Sequence, residues 1–443
     1  MMKRGIIASC IVVGCLVVAT PSLLSLPPLK FVFVSLLEKK LHTSLSIEHL
    51  SLSWLGPQTA RGIRFQNTDL DGTLQSFSSP LPFWSLAKMS SAFSLEDGVI
   101  QIHAPSYPPA LISNVHAVVQ GKKIEATAST SEEGKTGNLK VSAEVQSGAT
   151  TVTGSGVNIP TVLVDRMVGS KGKISAFLGP SVEGKFTLHS EDDSGTLEAN
   201  VASTNAQGSV SLAFTPSKIT LKEPLLLNCR LTPESSQLLL KTKIQSQTPI
   251  LLRVQPDGFS ISRSLSLAEL QVGTATLDLG RFQIEHSAAI GSILTLLKKP
   301  QPPSAQWVNV WFTSIDATYK NGVLQLGRLD ALLANAIHLC AWGDIHLARD
   351  RLDLTLGLPA DTLSESFGIQ NLSPNYVLKI PVEGTLENPE LTTGPATAKI
   401  ATMAAAQLIP KPGPLGTFFK VINAATSDNS DVPPPKRPFP WEK

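Results

Sequence analysis

Charged residues are scarce in this chain, and the two signs nearly cancel. Of 443 residues, 37 are Lys or Arg and 35 are Asp or Glu, which makes 16% charged residues, against roughly a quarter in average soluble domains. The chain therefore lacks the basic excess that binds nucleic acid, and we expect no nucleic-acid partner. Ser, Thr, Leu and Ala replace the missing charge, which suits large sheets with one apolar face.

Cysteine is also scarce, with four residues in the whole chain. Cys10 and Cys15 lie inside the first apolar run, which leaves Cys229 and Cys340 for the remainder. One disulfide between these two is conceivable, but a disulfide framework is excluded, and neither residue belongs to a CxxC motif. Two buried free thiols are the simpler expectation.

The sequence contains no recognisable catalytic constellation. Its eight histidines are scattered, without HExxH or any metal-ligand spacing. Gly134-Lys135-Thr136 looks like the end of a phosphate loop, but Ser129 stands where the first glycine is required. His338 and His346 lie close to Cys340, yet strand histidines that face solvent or a turn are a simpler interpretation than a metal site. We therefore predict no enzyme activity, no metal site and no cofactor.

The N-terminus carries the clearest topological signal. After Met1-Met2-Lys3-Arg4, no charged residue occurs until Lys30. An apolar helix of about 20 residues spans a bilayer, and flanking Lys and Arg stay on the cytoplasmic side. We expect residues 5–26 to remain attached as an anchor, with the rest of the chain exported. The apolar positions of this predicted anchor are Ile6, Ile7, Ile11, Val12, Val13, Leu16, Val17 and Val18.

Two alternatives to an anchor remain open at this point. A signal peptide cleaved near "VVAT" (17–20) is one of them. The other is lipidation at Cys15, because Val12-Val13-Gly14-Cys15 resembles a bacterial lipobox, as does Ile7-Ala8-Ser9-Cys10. The apolar run continues past both cysteines, whereas lipoproteins usually turn polar there, which favours the anchor. All three outcomes export the rest of the chain.

From about residue 90 onward, apolar residues recur at every second position. In "NLKVSAEVQ" (138–146), Leu, Val and Ala alternate with polar residues, and "TLEANVA" (196–202), "SVSLAF" (209–214) and "RLDLTLGL" (351–358) repeat the pattern. Such alternation is typical of strands with one dry face and one wet face. We predict a mainly β fold, an antiparallel meander with a few short covering helices.

Local signals place the turns and the helices. Asp-Gly or Asn-Gly, which supply the positive φ of tight hairpins, occur at 71–72, 97–98, 257–258 and 321–322. The best single hairpin is "IDATYKNGVLQL" (315–326). Helical patterns are few and fall at 29–41, 160–169, 287–299 and 395–409. The tail "SDNSDVPPPKRPFPWEK" (427–443) is predicted to be disordered, with a ligand for a partner domain as the alternative.

Two stretches of the chain resemble a known family. "LSLSWLGPQTARGIRFQN" (50–67), soon after the apolar N-terminus, resembles the opening of AsmA-like envelope proteins. Residues 315–394 resemble their C-terminal region, from the hairpin through "LCAWGDIHLARDRLDLTLGLPADTLSESFGI" to "YVLKIPVEGTLENPEL". There Gly384-Thr385 and Asn388-Pro389 match the family's G-T-x-x-x-P ending. The close match covers roughly a quarter of the chain, and 110–300 shares only the β-meander character.

The resemblance implies a protein of the AsmA and TamB type, anchored in the bacterial inner membrane with its body in the periplasm. This group is akin to bridge-like lipid-transfer proteins, in which a long curved sheet carries phospholipid acyl chains on its concave apolar face and supports envelope assembly. Residues 379–391 would then be a final groove strand and its stop. The expected groove lining is Leu139, Val141, Val145, Leu197, Val201, Val210, Leu212 and Phe214. A ligand-free structural or adhesive β-sandwich is the alternative.

These expectations divide the chain into successive parts. They are a signal-anchor or signal peptide (1–28), an N-terminal helix with the first strands (29–110), a middle β-meander (111–300), an AsmA-like C-terminal β region (301–394), a helical segment (395–426) and a disordered tail (427–443). About two dozen strands side by side, at ~4.8 Å each, would give a sheet about 115 Å long. At that length we expect either an envelope protein as a docking partner or a role confined to one membrane.

Overall fold

The structure is a computed structural model of the 443-residue chain, which forms two compact units, Met1–Thr204 and Asn205–Lys443. We refer to them as the N-terminal unit and the C-terminal unit. The structure describes residues 34–35, 38–39, 43–53, 56–67, 70–82, 92–103, 109–132, 134–146, 148–240, 242–264, 266–286, 288–297, 307–386, 388–407 and 431–442.

The N-terminal unit is an antiparallel meander in which every strand pairs with its neighbour in sequence. Its strands are β1 Ser44–Ser51, β2 Gln58–Gln66, β3 Leu70–Ser79, β4 Ala92–Ile102, β5 Ala110–Gln120, β6 Lys123–Glu132, β7 Lys135–Gln146, β8 Ala149–Pro160, β9 Ser181–Glu191 and β10 Ser194–Ser203. Side chains alternate between the two faces along each strand, so the period-two pattern places its apolar residues on one side.

Two short helices, α1 Thr161–Val168 and α2 Lys173–Leu178, connect β8 to β9. The helix predicted at 160–169 is confirmed, whereas α2 has no clear sequence signal. α1 ends at Gly169, whose φ of 71° is the left-handed conformation that glycine adopts without strain. The Asp165 carboxylate accepts hydrogen bonds from the backbone N–H groups that begin α2, which fixes the turn between the helices.

The C-terminal unit is also built from antiparallel strands, and most of them are shorter. They are β11 Ala206–Phe214, β12 Lys218–Leu221, β13 Leu225–Cys229, β14 Ile244–Ser246, β15 Ile250–Val254, β16 Ile261–Ser262, β17 Gln271–Asp278, β18 Arg281–Glu285, β19 Trp307–Phe312, β20 Ile315–Lys320, β21 Val323–Leu333, β22 Ile337–His346, β23 Arg351–Pro359, β24 Val377–Gly384 and β25 Pro389–Leu391. The mainly β, antiparallel fold predicted from the alternation is confirmed.

Several of these strands continue one another in line rather than lying side by side. β12 and β13 both pair with β11, β15 and β16 pair with those two, and β21 pairs with both β19 and β20. The expectation of two dozen adjacent positions is therefore wrong for this unit. Two such strands occupy one position in the sheet. A short polar break, such as Thr313-Ser314 between β19 and β20, interrupts the ladder while the chain keeps its direction.

Helices cover one face of the last strands of the C-terminal unit. α3 Pro233–Leu240 lies beside β14, where Ser236 bonds the backbone of Ile244, and the covering helices are α4 Ala288–Leu296, α5 Ala360–Phe367 and α6 Thr393–Gln407; 3₁₀ turns lie at Leu267–Glu269, Leu347–Arg349 and Pro440–Glu442. The helices predicted at 287–299 and 395–409 are confirmed as α4 and α6. Apolar residues of α4, α5 and α6 pack with those of β19 and β21–β24 in one buried cluster, which includes Leu294, Leu297, Leu339, Leu358, Leu363, Leu378, Ile380, Ile400 and Met403.

Of the four predicted turns, two are confirmed and two are wrong. Asn321-Gly322 forms the expected hairpin between β20 and β21, with φ of 53° and 79°. Asp257-Gly258 also lies in a turn. The turns predicted at Asp71-Gly72 and Asp97-Gly98 are wrong, because both dipeptides lie inside strands. At Asp97 the positive φ accompanies an irregularity of the β4–β5 pairing, so the dipeptide makes a bulge instead of a turn.

The stop predicted at Asn388-Pro389 is also wrong in detail. Pro389–Leu391 forms the short strand β25, which pairs with Val382–Gly384 of β24. A proline at the first position of a short strand is compatible with pairing because its missing N–H need not donate. The segment 379–391 is therefore a strand and a tight return, followed by α6.

Of the tail that was predicted to be disordered (427–443), the structure describes residues 431–442, and these do not follow the prediction. Residues 431–442, which we call the C-terminal segment, lie against the face of the C-terminal sheet opposite to the helices. Along β22, alternate side chains contact the helices on one face of the sheet and the C-terminal segment on the other. Ile337 and Leu339 face the helices, whereas Cys340 and Trp342 form a cluster with Val377 of β24 and Val432 of the segment. The last strands of this unit are thus covered on both faces.

Among the described residues, no helix has the length and apolar character needed to cross a bilayer. The predicted anchor residues Ile6, Ile7, Ile11, Val12, Val13, Leu16, Val17 and Val18, and the lipidation candidate Cys15, lie outside the described residues.

Candidate functional site

Strands β5–β10 of the N-terminal unit present one continuous apolar face. The register aligns apolar residues in rows that cross the strands: Val119, Ile124, Ala143, Val152, Leu188 and Leu197 form one row, and Ala117, Ala126, Val141, Gly154, Phe186 and Ala199 form the next. Leu139 and Val201 belong to a third row, in which they are joined by Gly156 and Gly184. We call this surface the open apolar face.

Large side chains on this face remain in contact with solvent. Val141, Val145 and Phe186 are 37%, 39% and 38% exposed, and Ile124 and Val201 are 39% and 41% exposed. Buried core residues of the same chain are below 9%. An apolar patch of this extent on a single sheet is unusual unless something binds to it.

Gly154 shapes the floor of the open apolar face. It stands between Val141 and Phe186 in the register, and a Cβ at this position would clash with the ring carbons of Phe186. The absence of a side chain therefore lets the Phe186 ring lie down over the backbone of β8. The result is a shallow surface without a ridge between β7 and β9.

One end of the face is closed and the other is not. Leu163 of α1 is 2% exposed and packs with Ala110 and Ile159, next to Leu139 and Val182. Towards the hairpin ends, the next row contains Thr150, Gly195, Ser190 and Val145, which is mostly small or polar. The open apolar face therefore has a helix across one end and a more polar rim at the other.

The opposite face of the same strands is mainly polar, with Val118 and Val157 as exposed apolar residues on it. Lys140, Ser142 and Glu144 of β7 oppose Thr127, Glu125 and Lys123 of β6, and Lys123 forms an ion pair with Glu125 at 2.6 Å. Because the two faces differ so strongly, water solvates one of them well and the other poorly. The sheet is amphipathic, and only its apolar side calls for a partner.

The structure divides the predicted lining between the two units. Leu139, Val141, Val145, Leu197 and Val201 all lie on the open apolar face of the N-terminal unit. Val210, Leu212 and Phe214 lie in β11 of the C-terminal unit. There Val210 and Leu212 pack against a buried cluster of Leu221, Val254 and Ala275, and the Arg263 guanidinium lies 5.9 Å from the centroid of the Phe214 ring.

Sequence reasoning missed several members of the open apolar face. Ile124 and Val119 sit on the strands flanking the β5–β6 turn, and Phe186 and Leu188 sit in "SVEGKFTLHSE" (181–191). Their alternation was present, but Ala and Gly at the intervening apolar positions weaken the periodic signal. On β8, Gly154 and Gly156 carry no side chain, so no hydrophobic pattern marks these two positions.

A second notable cluster is a buried set of charges in the C-terminal unit. Asp330 is fully buried and accepts hydrogen bonds from Arg328, at 3.1 Å and 3.0 Å from Nε and at 2.7 Å from Nη2. The ring of His338 bridges two carboxylates, with Nε2 3.0 Å from Asp330 and Nδ1 2.7 Å from Asp361. Both ring nitrogens thus face acceptors, an arrangement that suits the imidazolium form.

The cluster determines the protonation of its members. Burial by itself lowers the pKa of His338, but the hydrogen bonds to Asp330 and Asp361 outweigh it and raise that pKa to about 9. Burial opposes ionisation of Asp361, yet the His338 hydrogen bond holds the pKa of this carboxyl below its usual value. The expectation that His338 faces solvent or a turn is wrong, because β22 turns its side chain under the C-terminal segment.

Two cysteines lie among the described residues. Cys229 and Cys340 are buried and unpaired, as the simpler expectation had it. Burial raises the pKa of the Cys340 thiol to about 12, so it does not ionise at neutral pH. Among the described residues, no group of three or more His, Cys, Asp or Glu is arranged to hold a metal ion.

A cleft of about 380 Å³ lies where the C-terminal segment meets the sheet. Its walls combine the charged cluster with proline rings, including Arg328, His338, Asp361, Pro374, Pro433 and Pro434. Arg328 and both nitrogens of His338 are already engaged by protein partners.

The raised pKa of His338 predicts a pH-dependent stability of the C-terminal unit. A histidine whose folded pKa exceeds its unfolded value contributes stability that is complete below the unfolded pKa of 6.5 and is lost as pH rises through about 9. We expect the urea midpoint to fall between pH 6.5 and pH 9 in the wild type. In His338→Gln the midpoint should be lower and nearly flat over this window. Equal slopes in both proteins would contradict the assignment.

Comparison with protein-family models, curated proteins and solved structures finds no match to this chain. The AsmA-like resemblance therefore stays a prediction from the sequence, and the functional argument rests on the surfaces described above.

Proposed function

We propose that this chain binds phospholipid acyl chains on the open apolar face, as a membrane-anchored periplasmic protein of the AsmA-like type that shields or transfers lipid and supports assembly of the envelope. The anchor and the location come from the sequence, in which the charge-free run to Lys30 follows Lys3-Arg4. The inference that the ligand is a lipid rests on the exposed apolar side chains of the N-terminal unit. The proposal includes no catalytic step.

The observation that carries the proposal is the exposure of large apolar side chains on a single face. Val141 and Phe186 are more than a third exposed, although the register places them in the middle of an apolar surface. Lipid chains in contact with these residues would remove that surface from water, with a gain of roughly 0.8 kcal/mol per buried CH₂.

The dimensions of the face suit an acyl chain. Strands β5 to β10 span about 24 Å at the usual ~4.8 Å spacing. One leaflet contributes about half of the ~30 Å hydrocarbon core of a bilayer, so a single chain lies within the width of the face. The flat floor over Gly154 favours a flexible, narrow ligand rather than a protein helix with protruding side chains.

The alternative of a ligand-free β-sandwich has less support. A sandwich requires a second apolar layer on the face, and residues buried under such a layer would not retain 37–41% of their accessible surface. α1 covers the end of the face near Leu139 without extending to Val145.

The proposal is tested by photocrosslinking in cells. A benzophenone amino acid at Val145 should crosslink to phospholipid, detected by mass spectrometry of the purified protein. The same probe at Lys140, an exposed position of the opposite face on the same strand, should not. Crosslinks to protein alone at Val145, or equal lipid crosslinks at both positions, would reject acyl-chain binding on this face.

A further inference from the structure

The C-terminal segment is held in place by side chains rather than by strand pairing. Residues 431–442 form no strand, and their only regular element is a 3₁₀ turn at Pro440–Glu442. Nevertheless Phe439 is 2% exposed, which is as buried as the central core of the unit. A short peptide that buries an aromatic anchor without joining the sheet resembles a bound ligand more than a structural strand.

Polar tethers fix the register of the segment along its groove. Arg328 donates from Nη1 to the carbonyl oxygen of Pro433 at 3.1 Å. Near the start of the segment, Lys379 pairs with Asp431. Further along, Lys436 lies 2.8 Å from Asp316. Two of these tethers pair opposite charges, and the third is a hydrogen bond from a guanidinium to a backbone carbonyl oxygen.

Aromatic contacts supply the anchor. The ring of His338 meets Phe439 edge-on at 4.9 Å and Trp441 at 5.7 Å between centroids, and the latter two rings stack at 4.9 Å. Trp311 of β19 approaches Trp441 at 6.4 Å and is itself covered by the Arg281 guanidinium at 3.6 Å. The groove therefore has an aromatic and cationic end that receives Phe and Trp.

The prolines and aromatic residues of the segment suit the aromatic lining of the groove. Proline-rich peptides lose little conformational entropy on binding and dock well on aromatic-lined surfaces. "VPPPKRPFPW" (432–441) offers an unbonded carbonyl to Arg328, a basic residue to Asp316 and two aromatic rings to His338. Residues 408–430 connect it to α6, and such a connection reaches roughly 75 Å at full extension.

We propose that the face of β19–β24 opposite to the helices is a recognition groove for proline-rich segments that end in aromatic residues, and that the chain's own C-terminal segment is its resident, exchangeable ligand. The ligand class is defined by the carbonyl oxygen that Arg328 binds and by the aromatic pair that packs on His338. This inference is independent of lipid binding by the N-terminal unit.

The test uses the full chain with a specific protease site inserted within 408–430. After cleavage we expect the released fragment to remain bound in gel filtration and then to exchange with a fluorescent peptide of residues 429–442, followed by anisotropy. The Phe439→Ala peptide should bind at least about 30-fold more weakly. The Lys436→Ala peptide loses only an exposed ion pair and should bind within about twofold.

The uncleaved chain is the internal control. Its tethered segment competes at an effective concentration of about millimolar, so the labelled peptide should bind it at least about 100-fold more weakly than the cleaved chain. Three results would overturn the proposal. In the first, the fragment dissociates but the labelled peptide does not bind. In the second, the fragment dissociates only when the C-terminal unit unfolds, and in the third, uncleaved chains form a dimer by exchanging their segments.

Discussion

Replacing Asp330 by Ala is expected to destabilise the C-terminal unit by roughly 3–5 kcal/mol, because it leaves buried cations without their carboxylate. Asp330 is fully buried, and the side chains of Arg328 and His338 that it neutralises are 7% and 8% exposed. Asp361 is half exposed and contacts Nδ1 of His338, so it cannot neutralise the charge of Arg328 once Asp330 is removed.

Urea unfolding followed by tryptophan fluorescence measures this effect, since Trp311, Trp342 and Trp441 all lie close to the cluster or the segment over it. Asp316→Ala is the matched control. It removes an aspartate that pairs with a lysine at the surface, where a loss below about 1 kcal/mol is expected. A change for Asp330→Ala as small as that of the control would mean that the cluster contributes little to folding.

The second large effect separates two residues that the sequence placed in one groove. Val141→Asp should leave the N-terminal unit folded but abolish most of its bound phospholipid, because the carboxylate reaches water yet lies among the acyl chains. Leu212→Asp should instead unfold the C-terminal unit. Its side chain packs against Leu221, Val254 and Ala275, where an unpaired charge costs several kcal/mol.

Circular dichroism and phospholipid analysis of the purified variants report both outcomes. The matched control is Thr153→Asp, on the strand next to Val141 but on the polar face, between the neutral residues Ser142 and Thr187. It should keep both fold and lipid. Unfolding of Val141→Asp would argue that the face is covered by protein, and an unchanged lipid content would argue that acyl chains lie elsewhere.

The parts of the fold that were predictable depend on local patterns. Period-two alternation in 138–146 is sufficient to define β7, since each strand of the N-terminal unit pairs with its neighbour and needs no distant information. The same holds for Asn321-Gly322, whose positive φ is a property of the dipeptide itself. α4 and α6 were recognisable from apolar or alanine-rich runs of adequate length.

The parts that were not predictable depend on contacts distant in sequence. Arg328 and Pro433 are 105 residues apart, so nothing near the tail signals that its carbonyl has a partner. The proline-rich composition therefore indicated disorder, although the chain contains its own binding surface. His338 is a similar case, because its acceptors come from the preceding strand and from α5. For the open apolar face, alternation located individual strands, but only the register joined Val141 to Phe186.

The covering of β21–β24 on both faces has a consequence for the order of events during synthesis. Hairpins such as β21–β22 form within microseconds once both strands exist, far faster than a ribosome adds residues. The C-terminal segment is made after the strands that it covers, so Trp342 and Val377 face water, and the Arg328–Asp330–His338 cluster is uncovered, until residues 431–442 have emerged. A newly made chain thus passes through an interval in which its sheet is paired but its groove is vacant.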